Sequence, residues 1–241
     1  MGYTNRNRGK TDEDDALFCN NTQLIKLKQA LQDLNYLLTR GYTMKSSLAL
    51  AAGRYKLRTR QLTALQGMAC AESDALIRGQ KLMDKDSISG KDIFLDGFNV
   101  LIVLESFFSG AYVFKGQDNC YRDISSVHGT YKRVKQTEQV LLSVGNLFDT
   151  LGAGNITWVF DKPVSNSGKM KTMCYEVAAA NNFKWDAILD NAPDKYLATC
   201  NGIICSSDAW ILNECVQWFN LTAHIIENHA AKQDCINIIS M

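Results

Sequence analysis

Short apolar runs that end on a carboxylate recur in this chain, and they constrain its fold more than any other feature. Ile93-Phe94-Leu95 leads into Asp96-Gly97-Phe98-Asn99, and a second apolar run, Val100 to Leu104, follows. That pattern predicts a short buried strand ending on Asp96 and then a helix. The arrangement returns where Ile156-Thr157-Trp158-Val159-Phe160 ends on Asp161, and where Gly202-Ile203-Ile204-Cys205 passes through Ser206-Ser207 to Asp208. Further strands are expected at Tyr112–Phe114 and Trp185–Leu189. Helices are expected at Phe98–Phe108, Thr137–Leu151, Gly168–Asn182, Pro193–Thr199, Ala209–Phe219 and Thr222–His229. Such alternation predicts a three-layer α/β domain with a mainly parallel sheet. Ligands of open parallel sheets bind outside the carboxyl ends of the strands, so carboxylates repeated there are expected to converge.

Four residues are the candidates: Asp96, Asp161, Asp208, and Asp194, which opens a helix in Asn191-Ala192-Pro193-Asp194. Bare like charges repel, and a divalent cation would neutralise them. An all-oxygen set suits a hard ion, Mg2+ or Mn2+. Any one of these aspartates taken alone is better explained as a helix cap; four together argue for a metal site.

The charge is divided along the chain. Residues 1–90 carry 14 Lys+Arg against 9 Asp+Glu, and residues 91–241 carry 12 against 16. Residues 1–18 are polar and are expected to be disordered. Residues 19–90 read as a small all-helical module. Leu24, Leu27, Leu31, Leu34 and Leu38 follow helical steps, a second helix fits Ser46–Arg54 with Thr43 or Ser46 as cap, and a third fits Thr59–Ala71 with Thr59 as cap. Residues 72–90 read as a helix tail and linker, and residues 91–241 as the α/β domain. Helix, tight turn, helix is a helix-turn-helix-like layout. Lys45, Arg54, Lys56, Arg58 and Arg60 crowd around it, which suits phosphate contact or a bundle whose basic residues face water.

No apolar run approaches the ~18 residues of a membrane span. The polar N-terminus has no signal segment, so a cytoplasmic location with no membrane partner is expected. The eight cysteines form no C-x-x-C pair and are expected to be reduced; Cys200 and Cys205 are the one close pair. Ser165-Asn166-Ser167-Gly168-Lys169 lacks phosphate-loop spacing, although a helix start there could hold an anion, with capping by Ser165 or Ser167 the competing role.

Leu95-Asp96-Gly97-Phe98-Asn99-Val100 resembles the opening motif of NYN-type nucleases in the PIN-like superfamily, and Ile203-Ile204-Cys205-Ser206-Ser207-Asp208 resembles its late strand-Ser-Asp motif. Asp194 and Asp161 match the acidic positions between. The likeness spans roughly 91–220. It departs from the pattern at Ala209-Trp210-Ile211, where a second acidic residue is absent, and in the stretch 116–136. A likeness over most of the chain is carried by Asp33–Tyr42, Gly53–Gln61, Tyr121–Gly129 and Asp161–Gly168. These resemble an uncharacterised prokaryotic family known as domain of unknown function four-three-four, whose name supplies no activity.

The PIN-like resemblance implies a metal-dependent nuclease, with RNA ahead of DNA as substrate. Asp96, Asp161, Asp194 and Asp208 would hold Mg2+ or Mn2+, and Asn99 would orient substrate or a ligand water. Arg122 and His128, with Arg133 in the same basic stretch, either hold a phosphate or assist proton transfer, or else tie down a long loop through Arg122–Asp pairing. Ser165 and Asn166 at a helix start, and Arg54, Lys56, Arg58 and Arg60, complete the expected substrate contacts. A homodimer is compatible with the sequence. The rivals are a non-catalytic nucleic-acid-binding protein on a degenerate nuclease fold and a nucleotide phosphohydrolase.

Overall fold

The computed structural model describes residues 8–125, 129–230 and 238–240. The first half holds helices α1 (Asp14–Phe18), α2 (Asn21–Thr39), α3 (Met44–Tyr55), α4 (Thr59–Met68) and α5 (Glu72–Lys81). Then follow β1 (Ile93–Asp96), α6 (Gly97–Phe108), β2 (Val113–Lys115), β3 (Tyr121–Arg122), α7 (Thr137–Thr150), β4 (Ile156–Asp161) and α8 (Ser167–Asn181). The chain continues through β5 (Trp185–Asp190), α9 (Pro193–Thr199), β6 (Ile203–Cys205), α10 (Ala209–Glu214), α11 (Leu221–Ala230) and β7 (Ile238–Ser240).

Four strands pair in parallel in the order β5-β4-β1-β6. Their side chains alternate between two packed faces, which is why the runs are apolar throughout. Ile93, Leu95, Ile156, Trp158, Phe160, Ala187, Ile203 and Cys205 enter one core with residues of α6, α7, α8 and α11. Phe94, Val159, Ile188 and Ile204 enter another with Leu197 of α9, Ile211 and Leu212 of α10, and Trp218. The domain is therefore α/β, with helices on both faces of a parallel sheet. Each fully buried Leu, Ile or Phe contributes about 1.5–3 kcal/mol to holding these layers together.

The helical half follows its leucine pattern. Leu27, Leu31 and Leu34 of α2 are buried, the Asn20 side chain caps α2 by accepting from the Thr22 N–H at 2.8 Å, and the Thr43 hydroxyl accepts from the Ser46 N–H at 3.2 Å at the start of α3. The start of α4 differs from expectation, because Thr59 lies inside the helix and Gln61 accepts from the Arg58 N–H instead.

Several other expectations are corrected. Of the segment 1–18, expected to be disordered, residues 8–18 are placed, α1 is helical, and Leu17 and Phe18 are buried. Asp14, in the acidic cluster, is buried and bound by Arg60, so the segment does have a partner. Residues 72–81 form α5 rather than a helix tail. Helix α10 ends at Glu214, short of the expected Phe219. The chain beyond it turns back so that the Trp218 N–H donates to the Lys81 carbonyl and its indole donates to the Arg78 carbonyl at 2.8 Å.

The strand expected at Tyr112–Phe114 belongs to a second sheet, β3-β2-β7, with β2 antiparallel to β3 and parallel to β7. This sheet joins the two halves. Tyr112, Phe114 and Ile124 share one core with Phe18, Leu31, Leu65 and Met68 of the helical half, and the Phe18 and Phe114 ring centres are 4.9 Å apart. Cys200 and Cys205 are both free thiols.

Candidate functional site

Parity along the strands decides which carboxylates meet. Asp96 lies two residues past Phe94 and Asp161 two past Val159, so both point to the face that packs against α9 and α10. Asp190, two past Ile188, shares that face and stands level with Asp161 in the β4–β5 register. Asp194 opens α9 and Asp208 caps α10, the two helices on this face. Five carboxylates therefore rim one corner of the sheet at its carboxyl edge. Asp190 was not among the sequence candidates; the same strand-then-acid pattern at Trp185–Asp190 carried the signal.

The turn out of β1 needs a glycine. A Cβ on Gly97 would stand 2.4 Å from the Phe160 ring and 2.8 Å from the Val159 carbonyl oxygen. Helix α6 can thus start directly against β4 and leave Asp96 at the strand's last position.

The acids feel one another. The Asp96 carboxyl is pushed up to about 7, first by burial and then by the negative charges of Asp208, Asp194 and Asp161, while the hydrogen bond from Ser206 pulls it down. Burial raises Asp194, and Asp208 and Asp161 add to it. Burial raises Asp161, with Asp190 adding. This coupling is what convergence requires, and a positive ion at the corner would relieve it.

Two serines hold the corner together. The Ser206 hydroxyl donates to Asp96 Oδ2 at 2.7 Å and accepts from the Asp208 N–H at 2.9 Å. The Ser207 hydroxyl donates to Asn99 Oδ1, which fixes the Asn99 amide on the first turn of α6. Asp208 Oδ1 accepts from the Trp210 and Ile211 N–H groups at 2.8 and 3.0 Å, so Asp208 is a helix cap as well as a member of the cluster. Asp190 Oδ1 likewise accepts from the Ala192 N–H at 2.7 Å.

The remaining candidates separate into supports and surface groups. Arg122 is a support. Its guanidinium meets Asp118 at 2.7 and 3.0 Å, donates to the Gly67 carbonyl at 2.8 Å and donates through Nε to the Ser207 carbonyl at 2.8 Å. Four of its five N–H donors are taken up within the protein, so the expectation that it holds a phosphate gives way to the loop-tying role. Asn166 sits at φ 72° and donates from its amide to the Tyr131 carbonyl at 2.7 Å, and Ser165 donates its N–H to the Gly129 carbonyl; both fix the entry to α8. Arg133 lies 3.5 Å from Glu138. Arg60 is bound to Asp14 and donates to the Gly9 carbonyl at 2.7 Å, so it is withdrawn from the expected phosphate contacts. Arg54, Lys56 and Arg58 are exposed on the helical half. His128 lies outside the described residues.

The donor set is all oxygen, which fits a hard cation. Its spacing does not fit an all-protein cage, since no three Asp, Glu, His or Cys among the described residues are close enough to hold one ion together. Magnesium keeps several waters and takes one or two carboxylates directly, so the corner fits a hydrated ion and no closer arrangement.

Residues 85–224 match the model of a family described as Domain of unknown function (DUF5616). The chain belongs to that family. Residues 26–81 match a second model, described as Protein of unknown function (DUF434), which agrees with the likeness carried by Asp33–Tyr42 and Gly53–Gln61. The DUF5616 segment contains all five carboxylates and both serines. The chain is also similar to an uncharacterised protein of Methanocaldococcus jannaschii, 28% identical over 206 residues, covering 84% of this chain and 98% of that protein. No solved structure matches. No helix among the described residues is long and apolar enough to cross a membrane.

Proposed function

We propose that this protein is a divalent-metal-dependent nuclease of the PIN-like type that hydrolyses phosphodiester bonds in RNA. The observation that carries the reading is the set of five carboxylates on one face at the carboxyl edge of the parallel sheet, where burial first and then the charges of Asp208, Asp194 and Asp161 push Asp96 up to about 7. Asp96 would be the central anchor for Mg2+ or Mn2+, with Asp161, Asp194 and Asp208 reaching the ion through its waters. A bound ion of this kind supplies an activated water and offsets charge on the phosphate. Ser206 orients the Asp96 carboxylate. Ser207 holds Asn99 so that its amide N–H groups can face a substrate oxygen. Lys162 and Lys195, exposed beside Asp161 and Asp194, offset the repulsion between an acidic corner and a polyanionic strand.

The test is magnesium- or manganese-dependent cleavage of single-stranded RNA by the wild type and by Asp96→Asn. Cleavage that needs metal and is lost in the variant supports the reading. Wild-type inactivity on RNA, DNA and nucleotides would sink it. The engagement of Asp208 as the cap of α10, and of Asp190 with the Ala192 N–H in the turn before α9, favours a second reading, a nucleic-acid-binding protein without catalysis, which predicts binding without turnover.

A further inference from the structure

A groove of about 730 Å³ opens where α2 meets the start of α5 and the turn at Gln117. It contains none of the five carboxylates. Lys28, Gln32 and Tyr36 line it from one face of α2, and Arg40, the residue that closes the helix, continues the four-residue spacing. Its walls are fixed. The Asn35 amide donates to Gln117 Oε1 at 3.2 Å and accepts from the Cys70 N–H at 3.1 Å, and the Thr39 hydroxyl accepts from the Glu72 N–H at 3.1 Å.

Tyr36 is 59% exposed, and the Arg40 guanidinium lies 5.1 Å from its ring centre. An exposed aromatic ring paired with a guanidinium is a surface on which nucleobases stack. Lys28 and Arg40 bring two positive charges against the single carboxylate of Glu72. The amides of Gln32 and Gln117 offer both donors and acceptors, as base edges require. Gln117 adjoins Asp118, whose partner Arg122 bonds the Ser207 carbonyl, so a continuous path of bonded residues links the groove to the carboxylate corner.

We propose that this groove binds a nucleotide unit of single-stranded RNA, with the base on Tyr36 and the phosphate against Lys28 and Arg40. The proposal deepens the nuclease reading by naming where the strand is held, but it is measured without cleavage. The full chain is titrated in EDTA against a short fluorescein-labelled single-stranded oligoribonucleotide, with anisotropy as readout. Tyr36→Ala weakens binding roughly tenfold and Tyr36→Phe does not, as loss of one stacked base would give. Lys28→Ala and Arg40→Ala each reduce the salt slope by about one. Melting of Tyr36→Ala is unchanged, because the ring is exposed. Competition by 5′-AMP as strong as that of unlabelled oligonucleotide would overturn the RNA assignment in favour of a free nucleotide. Wild-type binding by Tyr36→Ala, or no binding by the wild type, overturns the groove. Tyr36-dependent binding without cleavage removes the nuclease reading alone; cleavage with Tyr36-independent binding removes the groove alone.

Discussion

The Nε of Arg122 donates to the carbonyl oxygen of Ser207 at 2.8 Å and so ties the β2–β3 hairpin to the loop that carries Asp208. The same guanidinium grips Asp118, which also receives Arg78 at 2.6 Å, and Arg78 in turn meets Asn213 at 2.7 Å. Burial pushes the Asp118 carboxyl up, but Arg122 and Arg78 outweigh it and hold it below the usual carboxylate range. Arg78, on α5, brings the helical half into the same cluster.

Breaking that tie should be costly. Arg122→Ala leaves Asp118, whose side chain is fully buried, with one cation and leaves the Ser207 carbonyl without its donor. A loss of about 3–5 kcal/mol is expected from disrupting a buried, hydrogen-bonded pair. Arg122→Lys should not restore it, since an ammonium cannot reproduce the fork. Urea unfolding of both variants measures this, and two near-normal midpoints would contradict it.

Asp96→Asn should uncouple stability from activity. The wild-type carboxyl is raised to about 7, so the favourable neutral form is fully present below the ordinary value near 4, and stability falls as pH rises through about 7. The asparagine variant lacks that loss. It should melt at or above the wild type at pH 8, with a smaller difference at pH 5, while metal-dependent cleavage disappears. A variant that melts well below the wild type at pH 8 would assign Asp96 a structural role instead.

Ser206→Ala removes the one interaction that pulls the Asp96 carboxyl down. The carboxylate then ionises at higher pH, so the acid limb of the rate profile should move upward. Rates for the two proteins should approach each other in mildly alkaline solution. A lower rate with no movement of the limb would mean that Ser206 acts only by shaping the loop.

The N-terminal segment should prove structural. Arg8 is paired with the fully buried Glu105, and its guanidinium lies 4.9 Å from the Tyr131 ring centre. Burial raises the Glu105 carboxyl, and Arg8, Thr137 and Tyr131 pull it back down. Removal of residues 1–12 strips the cation, so Glu105 should rise further. Stability present at low pH is then lost as pH rises through the new value, and the truncation should destabilise more at pH 8 than at pH 5. Equal melting losses at the two pH values would show that the pair carries no charge energy.

Much of this architecture was legible because it is local. Strands β1, β4, β5 and β6 were marked by apolar runs bounded by acids and glycines, α2 by leucines at helical spacing, and α9 by Pro193 at its first position. Period two along a strand also fixes a face, so the shared side of Asp96, Asp161 and Asp190 is implicit in the alternation.

Long-range partners decided the rest. Arg122, Arg60 and Asn166 look like phosphate contacts in a sequence, because a charge or an amide reads the same whether water or a buried carboxylate meets it. Residues 8–18 look unstructured for the same reason: Arg8 and Phe18 gain their order from Glu105 and Phe114, about a hundred positions away. The sequence by itself determined the alternation of elements and the placement of acids at strand ends, since backbone periodicity and turn chemistry act between near neighbours. Only the tertiary structure decided which of the charges are spent holding the fold and which remain at the carboxylate corner, because pairing and desolvation depend on distances that the chain order does not contain.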